Sequence, residues 1–306
     1  MGCNIYQMGK IVMKAVLFPG QGSQKVGMGL NHYENQKGFR ELADRSDQLL
    51  GYAISDIMFN GPVEKLTRTE FTQPAIFIHS VGLFRQMDIK PDMVAGHSLG
   101  EFSALTAAGA IDFESALSLV ALRGKLMQNA GDVHPGTMAA LIGMDDETVD
   151  KICLEATQII QKPVVPANYN CPGQLVISGD IDAVQKAVEL AKENGCRIAK
   201  MLPVSGAFHS PLMKPALEAL KKKLDDIQFS QSDYPVYSNY SAKPSTDPDV
   251  LKENLLNQLV NPVRWTQTLK NMENDGASYF IEVGPGNVLQ GLVKRTLKDV
   301  TIEGAE

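Results

Sequence analysis

The chain has 306 residues, 44% of them hydrophobic and 21% charged, with a formal net charge of −6. This composition is ordinary for a soluble globular enzyme, and the length suits one large domain or a domain carrying an insertion. The acidic balance argues against nucleic acid as a partner, since such binding needs a basic field, and no apolar run approaches the roughly 18 residues that span a bilayer.

Residues 1–12 lack the plan of a signal peptide, and Tyr6 stands where N-myristoylation would need Ser or Thr. They read as an extension of no catalytic consequence, and cytoplasm is the expected location. The four cysteines, Cys3, Cys153, Cys171 and Cys196, have no CxxC spacing, so neither a metal site nor a disulfide framework is expected.

Residues 15–18 read as a buried strand that ends in the turn Pro19-Gly20-Gln21-Gly22-Ser23. Thr72-Gln73-Pro74 opens a helix that carries Ile76, Phe77 and Leu83 toward a core. The β-favouring run Met93-Val94-Ala95 leads into Gly96-His97-Ser98-Leu99-Gly100-Glu101, then a helix-like stretch over 102–110 and another from 113 through Arg123 to 127. Such α/β alternation predicts a mostly parallel sheet with helices on both faces.

The pattern changes after Pro135-Gly136. Residues 137–144 read as a strand, 145–157 as a helix with acids in its first turn, and 164–168 and 174–178 as strands joined by Pro172-Gly173. A helix over 180–194 closes at Gly195, and 197–203 forms a last strand. The order βαββαβ is the ferredoxin-like arrangement, read most economically as an insertion. The expected fold class is therefore α/β: a hydrolase-like core with a mostly parallel sheet, plus an inserted ferredoxin-like small domain. The large domain takes residues 13–134 and 205–306, the small one 135–204. Strands at 236–238 and 278–283 belong to the core, the latter running through Gly284-Pro285-Gly286 into a helix over 288–297. That glycine turn lacks a GK[ST] ending and reads as a strand–helix connection, not a phosphate loop.

A serine between two glycines, after a strand and before a helix, is the pattern of a nucleophile elbow, with Ser98 Oγ exposed at a helix N-terminus. Free backbone N–H groups and the helix dipole would meet a developing oxyanion there. The pattern means acyl transfer to serine and leaves the acceptor open. Of the histidines His32, His79, His97, His134 and His209, His209 lies where the chain returns from the inserted domain and could reach the elbow as a base; a plainer reading has it capping the next helix. His97, beside the nucleophile, would point away from it and support it.

Phe18-Pro19-Gly20-Gln21-Gly22-Ser23-Gln24, the serine elbow, Arg123 in Ala121-Leu122-Arg123-Gly124, Gly206-Ala207-Phe208-His209-Ser210, Asn261-Pro262-Val263-Arg264-Trp265 and Glu282-Val283-Gly284-Pro285-Gly286 occur in this order. Together they resemble the malonyl-CoA:acyl carrier protein transacylases of type II fatty acid synthesis, over nearly the whole chain. The resemblance implies a ping-pong reaction through a malonyl-serine at Ser98, with His209 as base and acid. It implies an oxyanion hole at the backbone N–H groups of Gln21 and Leu99, and orientation of His209 by the backbone carbonyl of Gln258. It places Arg123 against the malonyl carboxylate, Phe208 against the acyl α-carbon, and Asn168 and Asn170 on the cleft from the small domain. Cys171 stands where the family commonly has serine.

No bound cofactor is implied: a coenzyme A thioester, malonyl-CoA, is the substrate, and the phosphopantetheine of holo acyl carrier protein the acceptor. The enzyme is expected to be a monomer. A discrete acyltransferase of a polyketide pathway would look similar. A serine thioesterase or hydrolase, which would want a carboxylate behind its histidine, and a non-catalytic carrier-binding scaffold stay open as alternatives.

Overall fold

The computed structural model describes residues 12–133, 135–204 and 206–306. The chain enters on β1 (Met13–Phe18) and, after a series of helices, adds β2 (Met93–Gly96) beside it in parallel. It then builds a separate antiparallel sheet from β3 (Gly136–Ile142), β4 (Val164–Cys171), β5 (Gln174–Asp180) and β6 (Ile198–Met201). It returns through β7 (Val236–Tyr237), β8 (Pro244–Ser245), β9 (Ala277–Val283) and β10 (Thr301–Ala305). The first sheet runs β10-β9-β1-β2-β7-β8, and every pair in it is parallel except β7–β8. The second runs β4-β5-β3-β6, the ferredoxin-like order.

Strand β1 is buried because it is covered on both faces. Val16 and Phe18 pack with Ile76, Phe77 and Phe102, whereas Ala15 and Leu17 pack with Trp265, Leu269 and Phe280. A continuous apolar run, not an alternating one, suits such a parallel strand. The small sheet does alternate. Leu175, Ile177, Ala139 and Leu141 face the helices Asp146–Ile160 and Ile181–Glu193, while Met138 and Val176 face the opposite way and pack with the main core. Val263 ties this sheet to the larger one: its N–H donates to Ala167 and its carbonyl accepts from Tyr169 N–H.

Several expected boundaries move. The helix expected to open at Thr72 spans Thr69–Phe84, with Pro74 inside it. Its start is held from outside: Gln128 Oε1 accepts from Thr69 N, and Thr72 Oγ1 donates to Leu66 O and Arg68 O. A tertiary cap therefore outweighs the local signal of proline as a starter. The Arg123 helix runs Phe113–Val133, longer than its apolar period indicated. Strand β4 runs past its expected end at Asn168 to Cys171, so Asn170 is a strand residue as well; Gln174 pairs with Cys171 across the hairpin and leaves Pro172-Gly173 as the turn. The last small-sheet strand is shorter than 197–203, since β3 pairs only with 198–201. Residues 1–11, His134 and Ser205 lie outside the described residues, and with them all but the last residue of the expected extension 1–12 and one residue of each expected domain junction.

Candidate active site

In β1 and β2, Phe18 stands opposite Gly96, so the turn after β1 and the elbow after β2 leave the sheet side by side at the strands' C-terminal ends. His97 N–H donates to Phe18 O at 2.9 Å, stitching the two loops together. In open α/β sheets ligands bind at this edge. The elbow is tight: a Cβ on Gly96 would stand 1.9 Å from the Gly100 carbonyl carbon, and one on Gly100 2.1 Å from Phe18 O. Only glycine fits either place. Ser98 itself is left-handed, φ 52°, a strained conformation for a residue with a Cβ.

Asn239 holds that strain. Its Oδ1 accepts from Ser98 N–H at 2.6 Å, and its Nδ2 donates to Gly96 O at 2.7 Å. The Ser98 N–H is thereby committed. Among the described residues, neither Gln21 N–H nor Leu99 N–H donates a hydrogen bond within the chain, and both residues line the cleft over Ser98.

His209 comes from the other side of the cleft, also with positive φ (57°). Its Nδ1–H donates to the Gln258 carbonyl at 2.9 Å, which leaves Nε2 as an acceptor 2.8 Å from Ser98 Oγ. Arg123 Nη2 donates to the same Oγ at 3.1 Å and to Gln258 Oε1 at 3.0 Å, and Nη1 donates to Gln73 Oε1 at 2.8 Å. The serine oxygen thus receives one charge-assisted hydrogen bond and offers its own proton to the imidazole. Arg123 is 1% exposed, yet its direct side-chain partners are neutral, and Nε has no acceptor among the described residues.

Burial pushes the Arg123 pKa down to about 10, an effect the nearby Glu101 carboxylate opposes. Burial, with the Arg123 charge second, pushes His209 down to about 3. The imidazole is therefore neutral at physiological pH, with Nε2 unprotonated and turned to the Ser98 hydroxyl.

The sequence-predicted residues converge. Ser98, His209, Arg123 and Gln258 form one hydrogen-bonded group, and Gln21, Leu99, Phe208, Asn168 and Asn170 line the same cleft of ≈280 Å³. Asn170 Oδ1 also meets His97 Nε2 at 2.8 Å, so His97 faces the small sheet and away from Ser98 Oγ. Sequence reasoning missed Gln73, Asn239 and Glu101, and it assigned Gln258 only a backbone role. Glu101 and Gln73 sit within stretches already singled out; Asn239 carries no local signal.

The buried histidines also set an acid limit on stability. Burial lowers His79 to about 4 and His209 to about 3, and lowers His97 as well. In the unfolded chain these groups protonate near 6.5. As pH falls from 6.5 toward 4 the unfolded state alone takes up protons, so stability is lost on acidification, by up to about 1.4 kcal/mol per group per pH unit. Tm measured from pH 7 to 4.5 is expected to fall steeply below 6.5, and His79→Phe to flatten that slope. An unchanged slope would show that His79 is already solvated.

The chain matches the family described as acyl transferase domain over residues 16–305. It is 45% identical over 301 residues to a malonyl CoA-acyl carrier protein transacylase of Bacillus subtilis, covering 95% of this chain and 94% of the relative. Among solved structures, an acyl carrier protein S-malonyltransferase of Vibrio cholerae superposes with a TM-score of 0.92 at 43% identity, covering 95% of this chain and 96% of that one. A malonyl-transacylase solved in complex with its type II polyketide synthase acyl-carrier protein matches with a TM-score of 0.92 at 39% identity, covering 96% of both. The strand-end elbow, the histidine on a peptide carbonyl and the arginine beside the serine thus lie in a chain that belongs to the malonyl CoA-acyl carrier protein transacylases, within the acyl transferase domain family.

Proposed function

We propose that this enzyme transfers the malonyl group from malonyl-CoA to the phosphopantetheine thiol of acyl carrier protein, through a malonyl ester on Ser98. One observation carries the reading: Ser98 Oγ lies 2.8 Å from an unprotonated imidazole nitrogen and 3.1 Å from a buried, charged guanidinium. Serine with base makes acyl chemistry, and the guanidinium matches an acyl group that ends in a carboxylate.

Ser98 Oγ attacks the thioester carbonyl while His209 Nε2 takes its proton. The negative charge that develops on the carbonyl oxygen is met by the uncommitted N–H groups of Gln21 and Leu99. Collapse breaks the carbon–sulfur bond, and His209 returns the proton to the departing thiolate of coenzyme A. The carrier thiol then repeats the sequence in reverse, with His209 taking its proton and handing it to Ser98. A peptide carbonyl suffices to orient His209 because a thiolate leaves more readily than an amine. That same partner speaks against the hydrolase reading, which would want a carboxylate on Nδ1.

Arg123 would hold the malonyl carboxylate, while Asn168 and Asn170 line the cleft from the small-sheet side and Phe208 walls the acyl space from the loop that carries His209. The domains of the reading are 13–134 with 205–306, and 135–204. Among the described residues no helix is long and apolar enough to cross a membrane; the reading takes the enzyme as cytoplasmic and monomeric.

Mass spectrometry after mixing with malonyl-CoA is expected to show a malonyl adduct on Ser98 that discharges to holo carrier protein. Release of free malonate at the same rate would make the enzyme a hydrolase, and no adduct would leave a scaffold. The polyketide carrier in the complex above supports a second acceptor, and parallel discharge to fatty-acid and polyketide carriers separates the two pathways. For Phe208, which is 7% exposed on the cleft wall, substitution by serine removes bulk beside the acyl α-carbon. Methylmalonyl transfer relative to malonyl is expected to rise about tenfold in competition assays. An unchanged ratio would remove Phe208 from the acyl wall.

A further inference from the structure

Glu101 is a fully buried carboxylate, 0% exposed, in the first turn of the helix Gly100–Ala107 that follows the elbow. A buried carboxylate needs a structural or chemical reason, because its desolvation is costly without partners. Among the described residues it has no direct contact with a cation. Its Oε2 accepts from Gln258 Nε2 at 2.7 Å and from Asn239 N–H at 3.1 Å. Those two residues hold the nucleophile's peptide groups: Asn239 Oδ1 takes Ser98 N–H at 2.6 Å, and Gln258 Nε2 reaches Ser98 O at 2.8 Å.

Resting on the malonyl-transfer reading above, we infer that Glu101 is a positioning residue that sets the Gln258 side-chain amide and, through it, the malonyl-binding state of Arg123. Both Glu101 Oε2 and Ser98 O are acceptors, so only the amide nitrogen of Gln258 can face them. Its oxygen must then face outward, where it accepts from Arg123 Nη2 at 3.0 Å. Were the amide reversed, an N–H would oppose the guanidinium and push it off Ser98. The same residue's backbone carbonyl holds His209, so one carboxylate steadies serine, arginine and histidine together.

The indirect contact has a purpose that a direct one would defeat. A carboxylate paired face to face with Arg123 would occupy the guanidinium that the substrate must grip. At one remove, through an amide, Glu101 compensates the buried positive charge and leaves that face to neutral, displaceable acceptors. This separates charge balance in the empty site from carboxylate capture in the loaded one.

The test compares Ser98 acylation rates with malonyl-CoA and acetyl-CoA in Glu101→Leu and Glu101→Gln. Leucine keeps bulk and removes the acceptor; glutamine keeps an acceptor oxygen for Gln258 and Asn239 and can turn its N–H toward the Ser238 hydroxyl beside it. Glu101→Leu is expected to lower the malonyl-over-acetyl ratio by about tenfold or more, the scale of one hydrogen bond to a charged group, and Glu101→Gln to stay within about threefold of wild type. A merely structural role would scale both rates by the folded fraction and leave the ratio alone. Should Glu101→Leu fail to fold, Glu101→Asp, which withdraws the acceptor by one methylene, is expected to lower the ratio in the same direction. A wild-type ratio in the leucine variant, or equal loss in both variants, overturns the inference. Wild-type enzyme that forms no malonyl adduct overturns the functional reading instead, so the two failures are distinct.

Discussion

Replacing His209 with asparagine is expected to slow malonylation of Ser98 by about 10²–10⁴-fold, the range supplied by a positioned general base. Asparagine is the informative substitution because residue 209 has φ 57°, a conformation that asparagine tolerates and most side chains do not. The fold should therefore survive while the proton acceptor 2.8 Å from Ser98 Oγ is lost. Single-turnover adduct formation, followed by mass spectrometry, measures the step directly. A rate within tenfold of wild type would mean that Ser98 is activated by something else, and Arg123 Nη2, the other group on that oxygen, would be the first suspect. The pH profile gives an independent check. With His209 held near 3 by burial and by Arg123, the base stays neutral down to about pH 4–5, and the acid limb of acylation should follow unfolding and not a titration near 6.5. An inflection at 6.5 with the fold intact would contradict a buried, neutral imidazole.

Arg123→Ala is expected to lower kcat/KM for malonyl-CoA by about 10²–10³-fold while acetyl transfer changes far less. Truncating one member of a buried charge pair costs about 3–5 kcal/mol, and each 1.4 kcal/mol is tenfold. The guanidinium is buried beside the nucleophile, and among the described residues its acceptors are the Gln73, Gln258 and Ser98 side-chain oxygens, so an incoming carboxylate can displace neutral groups and gain a charge-assisted bond. The same substitution strands Glu101, whose charge lies close enough to raise the Arg123 pKa, and a lower Tm accompanies it. For that reason the discriminating quantity is the malonyl-over-acetyl ratio, which does not depend on how much protein is folded. A preserved ratio would assign Arg123 to structure and leave malonyl recognition to other residues of the cleft.

The serine elbow was legible because its chemistry is carried by a local pattern, and most of the other site residues followed from the resemblance of ordered motifs to a family. The elbow needs small residues at fixed offsets from the serine, and Gly96 and Gly100 meet backbone at distances that forbid a Cβ. The order of strand- and helix-like segments over 137–203, βαββαβ, was enough to place the small sheet. Boundaries failed where tertiary contacts overrode local propensity. Gln128 caps a helix start that Pro74 misplaced, and pairing with β5 drew Asn170 and Cys171 into a strand that turn chemistry would have ended earlier.

The residues that escaped sequence reading share one property: they act through partners far along the chain. Asn239 takes the Ser98 N–H across 141 positions, and Gln258 meets Glu101 across 157. Neither residue type nor spacing announces such contacts. The sequence by itself determined the reaction class, because a serine between two glycines after a strand is a short-range pattern of acyl transfer; the roles of His209 and Arg123 with a malonyl group followed from the resemblance that the ordered motifs carry. Tertiary structure alone decided which nitrogen of His209 faces the serine, which end of the Gln258 amide faces Arg123, and how a buried carboxylate balances that arginine without occupying it. The physical reason is that proton and charge placement depend on hydrogen-bond partners within about 3 Å, and those partners come together only when the sheets close around the cleft.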